Sequence, residues 1–209
     1  MSNNKARFIA VEGLDGSGKS TQAKLLSQYL KENNIENVVD FEPTDRPIGR
    51  FIREILKGKE KVDPRTTALL FAADRIEHVK GKGGILENLE NGISVISDRY
   101  YFSSFAYQVV DMPLEWVKEI NKVAREIARP DAQIFIDVSV ETCLERIAKN
   151  REGTDIFENR KFLTRTRENF LRVVDEMAKE ENIIFIDGNA DLETVQARVI
   201  EKVAPLFKI

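Results

Sequence analysis

The chain has 209 residues, 42% hydrophobic and 32% charged, with a formal net charge of −3. That length can bury one sizeable core, and acidic and basic residues mixed along the chain argue against nucleic acid or an anionic membrane as partner. The one cysteine, Cys143, cannot close an internal disulfide, no run approaches the roughly 20 apolar residues of a membrane span, and "MSNNKARFIAVEG" is too poor in apolar residues for a signal peptide, so a cytoplasmic protein is expected.

In chain order, "RFIAVE" (7–12) reads as a strand, apolar on both of its alternating faces. It runs directly into "EGLDGSGKST" (12–21), which holds the spacing G-x-x-x-x-G-K-[ST] in Gly13, Gly18, Lys19 and Ser20. Glycines allow a loop to turn successive N–H groups onto a phosphate, and the helix that follows, "STQAKLLSQYLKE", adds its positive end. Gly13, Leu14, Asp15, Gly16, Ser17, Gly18, Lys19, Ser20 and Thr21 therefore form a candidate ATP-phosphate cradle, with Lys19 on the β- and γ-phosphates and the Ser20 hydroxyl on Mg²⁺. Asp15 is out of place in a loop that binds anions.

A second strand, "NVVDF" (37–41), leads to "EPT" (42–44), where Glu42 is expected to face the cleft. Helices follow in "PIGRFIREIL" and "TTALLFAADRIEHV". In the latter, Phe71 and Arg75 are four apart and share a face. An aromatic ring that stacks and a guanidinium that donates suit a pyrimidine with exposed oxygens. Taken alone, the pair is better explained by a core phenylalanine and a solvated arginine. The third strand, "ISVIS" (93–97), ends at Asp98, placed to hold Mg²⁺ or its water beside Ser20, and Arg99 follows, suited to bidentate phosphate contact. In "SSFAYQ", Ser104 and Gln108 lie one helical turn apart and carry groups able to read a base edge.

Helix "EWVKEINKVAREIA", strand "AQIFIDV" (132–138), strand "NIIFID" (182–187) and helix "LETVQARVIEKVAPLF" complete an alternation that implies a parallel sheet with helices on both faces. Ligands collect at the carboxyl ends of such strands. No repeat or Pro/Gly/Ser-rich linker interrupts the chain, and one domain over 1–209 is expected. His78, the only histidine, has no second histidine or cysteine near it and is read as structural, as are Cys143 and Trp116.

"EGLDGSGKSTQ", "EPTDRPIGRFIR", "LLFAADRIEHV", "SDRYYFSSFAYQ" and "RPDAQIFIDVSVETCLERI" together resemble the thymidylate kinases of the nucleoside monophosphate kinase group, in order and over nearly the whole chain. The resemblance implies a three-layer α/β/α P-loop kinase fold with a five-stranded parallel sheet, transfer of the γ-phosphoryl of ATP to dTMP, Mg²⁺, and a homodimer. It places Phe71 and Arg75 on thymine, Tyr107 against the sugar, and Arg53 and Arg99 on the acceptor phosphate. Arg46 is read either as a further phosphate ligand or as solvent-exposed, and Arg129 either as part of "RPD" (129–131), which ends a helix before strand four, or as a residue near adenine. It also implies a mobile lid at about 146–158, with Arg146, Lys149 and Arg151 on the ATP side. One branch of the family carries arginine in the phosphate loop directly after the aspartate. Gly16 stands there here, so the lid, with Arg151 catalytic, is expected to supply that charge.

Two other functions compete. A deoxynucleoside kinase would use Glu42 as general base on a 5′-hydroxyl. A GTP-binding switch would carry N-K-x-D, to which "NKVA" (121–124) lacks the acid.

Overall fold

The computed structural model describes residues 5–149 and 156–209. The elements are β1 (Phe8–Gly13), α1 (Lys19–Glu32), β2 (Asn37–Phe41), α2 (Pro47–Leu56), α3 (Pro64–Lys80), α4 (Ile85–Glu90), β3 (Ser94–Asp98), α5 (Tyr101–Tyr107), α6 (Leu114–Ile127), β4 (Ala132–Asp137), α7 (Val140–Ala148), α8 (Ile156–Met177), β5 (Ile183–Asp187) and α9 (Leu192–Val203), with 3-10 turns at Gln108–Val110 and Ala204–Phe207. The five strands pair in parallel in the order β2-β3-β1-β4-β5. This is the three-layer α/β/α arrangement of a P-loop kinase, and the strand bounds lie within a residue of the sequence expectation.

The centre of the sheet follows from apolar patterning. Every residue of β1 is buried, and Phe8, Ile9, Ala10 and Val11 are at most 1% exposed. A fully buried Ile, Val or Phe contributes about 1.5–3 kcal/mol. β2 and β5, at the edges, differ from the expectation of strands covered on both faces: Val39, Phe41 and Phe185 are 37%, 40% and 50% exposed. An edge strand has a neighbour on one side only, so helices cover it incompletely.

Helix starts are locally encoded. Asp63 caps α3 by accepting from the Arg65 N–H, with Pro64 at the first helical position, and Ser139 and Asp191 cap α7 and α9 by accepting from Thr142 and Thr194. α5 begins earlier than "SSFAYQ" suggests, because Tyr100, Tyr101 and Phe102 are fully buried core residues. Cys143 is buried, and Trp116 packs on the core from α6. Asp131 ties the start of β1 by accepting from the Phe8 N–H at 2.8 Å and pairing with Arg7 at 2.7 Å.

Register aligns the chemistry. Val11 and Phe41 both pair with Asp98, so the loop after β1, the turn after β3 and the loop after β2 leave the sheet at one edge. No described helix is long and apolar enough to cross a membrane.

Candidate active site

The loop between β1 and α1 folds around glycine conformations that other residues rarely reach. Gly16 sits at φ +81, and a Cβ there would lie 2.5 Å from the Cys143 carbonyl oxygen on α7. Arginine at this position would collide with α7, so Gly16 has a backbone reason as well as the chemical one read from the family pattern. Lys19 is buried and donates from Nζ to Leu14 O at 3.1 Å, across the mouth of the loop. Burial, then the Arg99 charge, lower its pKa to about 8, against the opposing pull of Asp15, Asp98 and Glu12. Ser20 Oγ donates to Asp98 Oδ2, which brings together the two oxygens expected to hold a metal. Asp98 Oδ1 is buried and makes no hydrogen bond to the described residues. A hydroxyl and a carboxylate with a spare buried oxygen suit Mg²⁺, which takes one or two carboxylates and completes its shell with phosphates and water.

Asp15 reaches out of the cradle to the turn after β3. Its Oδ1 lies 2.5 Å from Arg99 Nη2 and 3.7 Å from Lys19 Nζ, and its side chain is 59% exposed. Its backbone N–H donates to the Tyr107 hydroxyl at 2.8 Å, so Tyr107 is tied to the phosphate loop. The Tyr107 ring lies under the Arg99 guanidinium at 4.9 Å, a cation–π distance. Arg99 Nη1 donates to Ser103 Oγ at 3.0 Å, and Arg99 is a non-glycine residue in the left-handed region, φ 76. A single turn thus aims one guanidinium at the edge where Lys19 and Asp98 also arrive.

The loop after β2 and the helix α3 form the second half. Arg75 is 1% exposed, not solvated, and Phe71 is half-buried, not core, so the alternative explanation of this pair fails on both residues. Every N–H of Arg75 is engaged: on Glu42 Oε2 at 2.9 and 2.6 Å, Tyr100 O at 3.2 Å, Ser104 Oγ at 3.0 Å, and Asn121 Oδ1. Glu42 does not face an open cleft. It is 5% exposed and also meets His78 Nδ1 at 3.0 Å. His78 Nε2 in turn lies 3.1 Å from Asp40 Oδ2. Burial alone would push the imidazole down, but hydrogen bonds to Asp40 and Glu42 and their charges raise it to about 9. Asp74 fastens the same loop by accepting from the Thr44 N–H at 2.7 Å and the Thr44 hydroxyl at 2.6 Å. Arg53 donates to Pro43 O and Thr44 O at 2.6 and 2.8 Å and pairs with Asp45 at 2.5 Å, which holds its guanidinium on the same loop. Gln108 starts the 3-10 turn after α5, with its amide oxygen buried and unbonded among the described residues.

Other expected residues fall elsewhere. Arg146 belongs to α7 and spans the Ser17 carbonyl at 3.2 Å and the Gly188 carbonyl at 3.3 Å, bridging the phosphate loop and the segment after β5. Arg151 lies outside the described residues. Arg46 is not free in solvent: it donates to the Glu77 and Lys82 carbonyls, capping the negative end of α3. Arg129 precedes β4 and donates to Glu180 O at 3.2 Å, at the sheet edge opposite the phosphate loop, so it is not near the adenine side. Two features escaped sequence reasoning. The His78–Glu42–Arg75 chain was hidden because Glu42, which joins the two α3 side chains, lies more than thirty residues earlier in the polypeptide. Glu12, a fully buried carboxyl at the end of β1, was visible as an acid in an apolar strand. Burial pushes that carboxyl up to about 7, despite hydrogen bonds from Ser103 and Tyr100 and the Arg99 charge.

Comparison with known proteins follows the same lines. The family profile described as Thymidylate kinase matches residues 11–199. A protein named "Probable thymidylate kinase" from Thermococcus kodakarensis is 39% identical over 209 residues, covering 96% of this chain and 98% of that one. Namesakes from Methanocaldococcus jannaschii and Methanococcus aeolicus are 42% and 38% identical, covering 86% and 91% of this chain and 86% and 90% of theirs. With the matched profile running from β1 into α9 and enclosing the phosphate loop, the Asp98–Arg99 turn and the Arg75 network, the chain belongs to the thymidylate kinase family.

Proposed function

We propose that this protein transfers the γ-phosphoryl group of ATP to dTMP, giving dTDP and ADP. The observation that carries the reading is the convergence at one sheet edge of a phosphate cradle, the Asp98–Arg99 turn and the Arg75–Ser104 pair, which is tied to that turn through the Tyr100 carbonyl. The cradle and Lys19 take the β- and γ-phosphates of ATP, and Arg146 flanks them from α7. Phe71, half-buried, offers a ring face to the base, while Ser104, which accepts from Arg75, retains an O–H to donate to a pyrimidine carbonyl. Arg75 itself can donate to a base only by exchanging one of its present partners, so it first of all fixes the pocket wall. The buried, unbonded amide oxygen of Gln108 supports assigning it to base recognition, and Tyr107, tied to the phosphate loop, is assigned to the sugar. Ser20 and Asp98 would hold Mg²⁺, which would supply positive charge against the ATP phosphates.

The chemistry asks for positive charge rather than a base. The second pKa of a phosphomonoester is about 6, so the attacking oxygen is already largely ionised at neutral pH. What must be overcome is repulsion between two anions and charge growing on the transferred group. Lys19, Arg99 and Arg53 supply that charge, with Arg151 and the segment at 146–158 assigned the remainder. Glu42 is already bound by Arg75 and His78 in a buried network, which argues against its use as the general base of a deoxynucleoside kinase. We assign the protein to the cytoplasm and to a homodimer. Leu69 on α3 and Val123 on α6, 50% and 55% exposed on two helices packed together, offer an apolar face for the second subunit. Light scattering reports that pairing.

The direct test offers ATP and Mg²⁺ with a panel of nucleoside monophosphates and with thymidine, and identifies the products. Formation of dTDP from dTMP is expected. Phosphorylation of thymidine but not dTMP, or ATP hydrolysis with no acceptor dependence, would reverse the assignment. Within this scheme Asp15 orients Arg99. Asp15→Asn is expected to leave ATP affinity within a few-fold of wild type while lowering kcat by roughly 10-fold, about 1.4 kcal/mol in the barrier. Unchanged kcat would reduce Asp15 to a turn residue.

A further inference from the structure

Glu12 is the last side chain of β1 before the phosphate loop, and it is 0% exposed. Burying an isolated carboxylate costs several kcal/mol, so a carboxyl in this position calls for compensation and a reason. Its two oxygens are divided between the turn after β3 and the first turn of α5. Oε1 accepts from the Tyr100 N–H at 2.8 Å, and Oε2 accepts from the Ser103 hydroxyl at 2.5 Å. Ser103 Oγ also accepts from Arg99 Nη1 at 3.0 Å. The carboxyl therefore grips the Arg99 turn twice, once through the backbone N–H after Arg99 and once through the Ser103 hydroxyl that accepts from the arginine's side chain.

That turn needs gripping. Arg99 is held at φ 76, and a residue with a Cβ pays roughly 1–2 kcal/mol for the left-handed region. β1 supplies two of the restraints: the Arg99 N–H donates to Val11 O at 2.9 Å, and the Tyr100 N–H donates to Glu12. Ser97 supplies a third by donating its hydroxyl to Arg99 O at 2.7 Å. Gly13, which opens the phosphate cradle, is the next residue after Glu12.

We propose that Glu12 is a positioning residue for phosphoryl transfer, joining the strand that carries the phosphate loop to the turn that aims Arg99. Glu12 touches no substrate and acts only through Arg99 and Ser103. Displacing a reacting or charge-stabilising group by an ångström can cost about 100-fold, so losing one of two grips on Arg99 is expected to lower kcat by roughly 10- to 100-fold.

The inference rests on the dTMP kinase reading, and a double-mutant cycle separates the two. Glu12→Gln and Ser103→Ala are made alone and combined with Arg99→Ala, and each is measured by single-turnover transfer, ATP affinity and thermal unfolding. Glu12→Gln alone is expected to lower transfer 10- to 100-fold with ATP affinity within threefold of wild type, and to cost less than threefold when Arg99 is already alanine. Losses that multiply in the double variant overturn the proposal, because a merely structural role would act regardless of Arg99. Should Glu12→Gln fail to fold, Ser103→Ala, which removes only the side-chain grip, carries the same cycle with a smaller expected coupling of about 5-fold, and multiplicative losses there overturn it equally. If wild-type protein makes no dTDP, the dTMP kinase reading fails; if it does and the losses multiply, the inference alone fails.

Discussion

Arg99→Ala is expected to lower kcat by roughly 10³-fold or more, the range seen when a single arginine facing a transferring phosphoryl group is supplied or withdrawn. The geometry explains why one residue carries so much. Its guanidinium is anchored on Asp15, Ser103 and the Tyr107 ring, so it meets charge in the transition state without reorganising. ATP affinity is expected to stay within a few-fold of wild type, because the cradle and Lys19 lie on the other strand. Stability is expected to change little, since Asp15 is 59% exposed and can turn to water once its partner is gone. Arg99→Lys is expected to recover only a small part of the rate: an ammonium is a point charge and cannot present the planar fork that meets two phosphate oxygens. Single-turnover measurements at saturating ATP decide the matter, and a kcat within tenfold of wild type for Arg99→Ala would remove Arg99 from the chemistry.

A second large effect is expected in stability against pH. His78 lies between Asp40 and Glu42, with Arg75 beyond Glu42 and Arg46 beside Asp40. Its pKa rises from the usual 6.5 to about 9 on folding. The folded protein therefore binds the proton more tightly than the unfolded chain. The stabilisation is fully present below about pH 6.5 and is lost as pH climbs through about 9, and it amounts to something on the order of 3 kcal/mol. Glu12 and Lys19 titrate near 7 and 8 in the same interval, so the informative quantity is the difference between wild type and His78→Asn. For a domain of this size 1 kcal/mol moves Tm by about 2–4 °C, so a gap of roughly 6 to 12 °C at pH 6 is expected to narrow by pH 9.5. A gap independent of pH would mean that the imidazole contributes by packing and not as a cation.

Much of the site was legible because its chemistry is local. A phosphate cradle is one strand, one loop and one helix start, and the spacing of Gly13, Gly18, Lys19 and Ser20 encodes it without help from distant residues. Strands announce themselves by apolar runs, and the alternation with helices dictates a parallel sheet whose carboxyl ends gather Asp98 and Arg99 beside Ser20. Asp15 reaching toward Arg99 could be anticipated for the same reason, as the two lie at the ends of neighbouring strands.

What the linear pattern could not decide were contacts between side chains brought together only by packing. Arg75 reads as solvated from its helix alone, and its burial depends on Glu42, Ser104 and Asn121, from three other elements. Arg46 and Arg129 carry the same charge as Arg53 and Arg99 but spend it on helix-end and loop carbonyls: Arg46 lies at the carboxyl edge but packs on the end of α3, and Arg129 lies at the opposite edge. Periodicity and spacing therefore determined the strands and helices, their parallel arrangement and the cradle, because those depend on backbone geometry and on which faces are apolar, whereas the strand order β2-β3-β1-β4-β5 was decided by tertiary packing. The burial of Glu12 and the Asp40–His78–Glu42–Arg75 chain were decided by the tertiary structure, since a buried charge is tolerated only where the fold delivers partners to it.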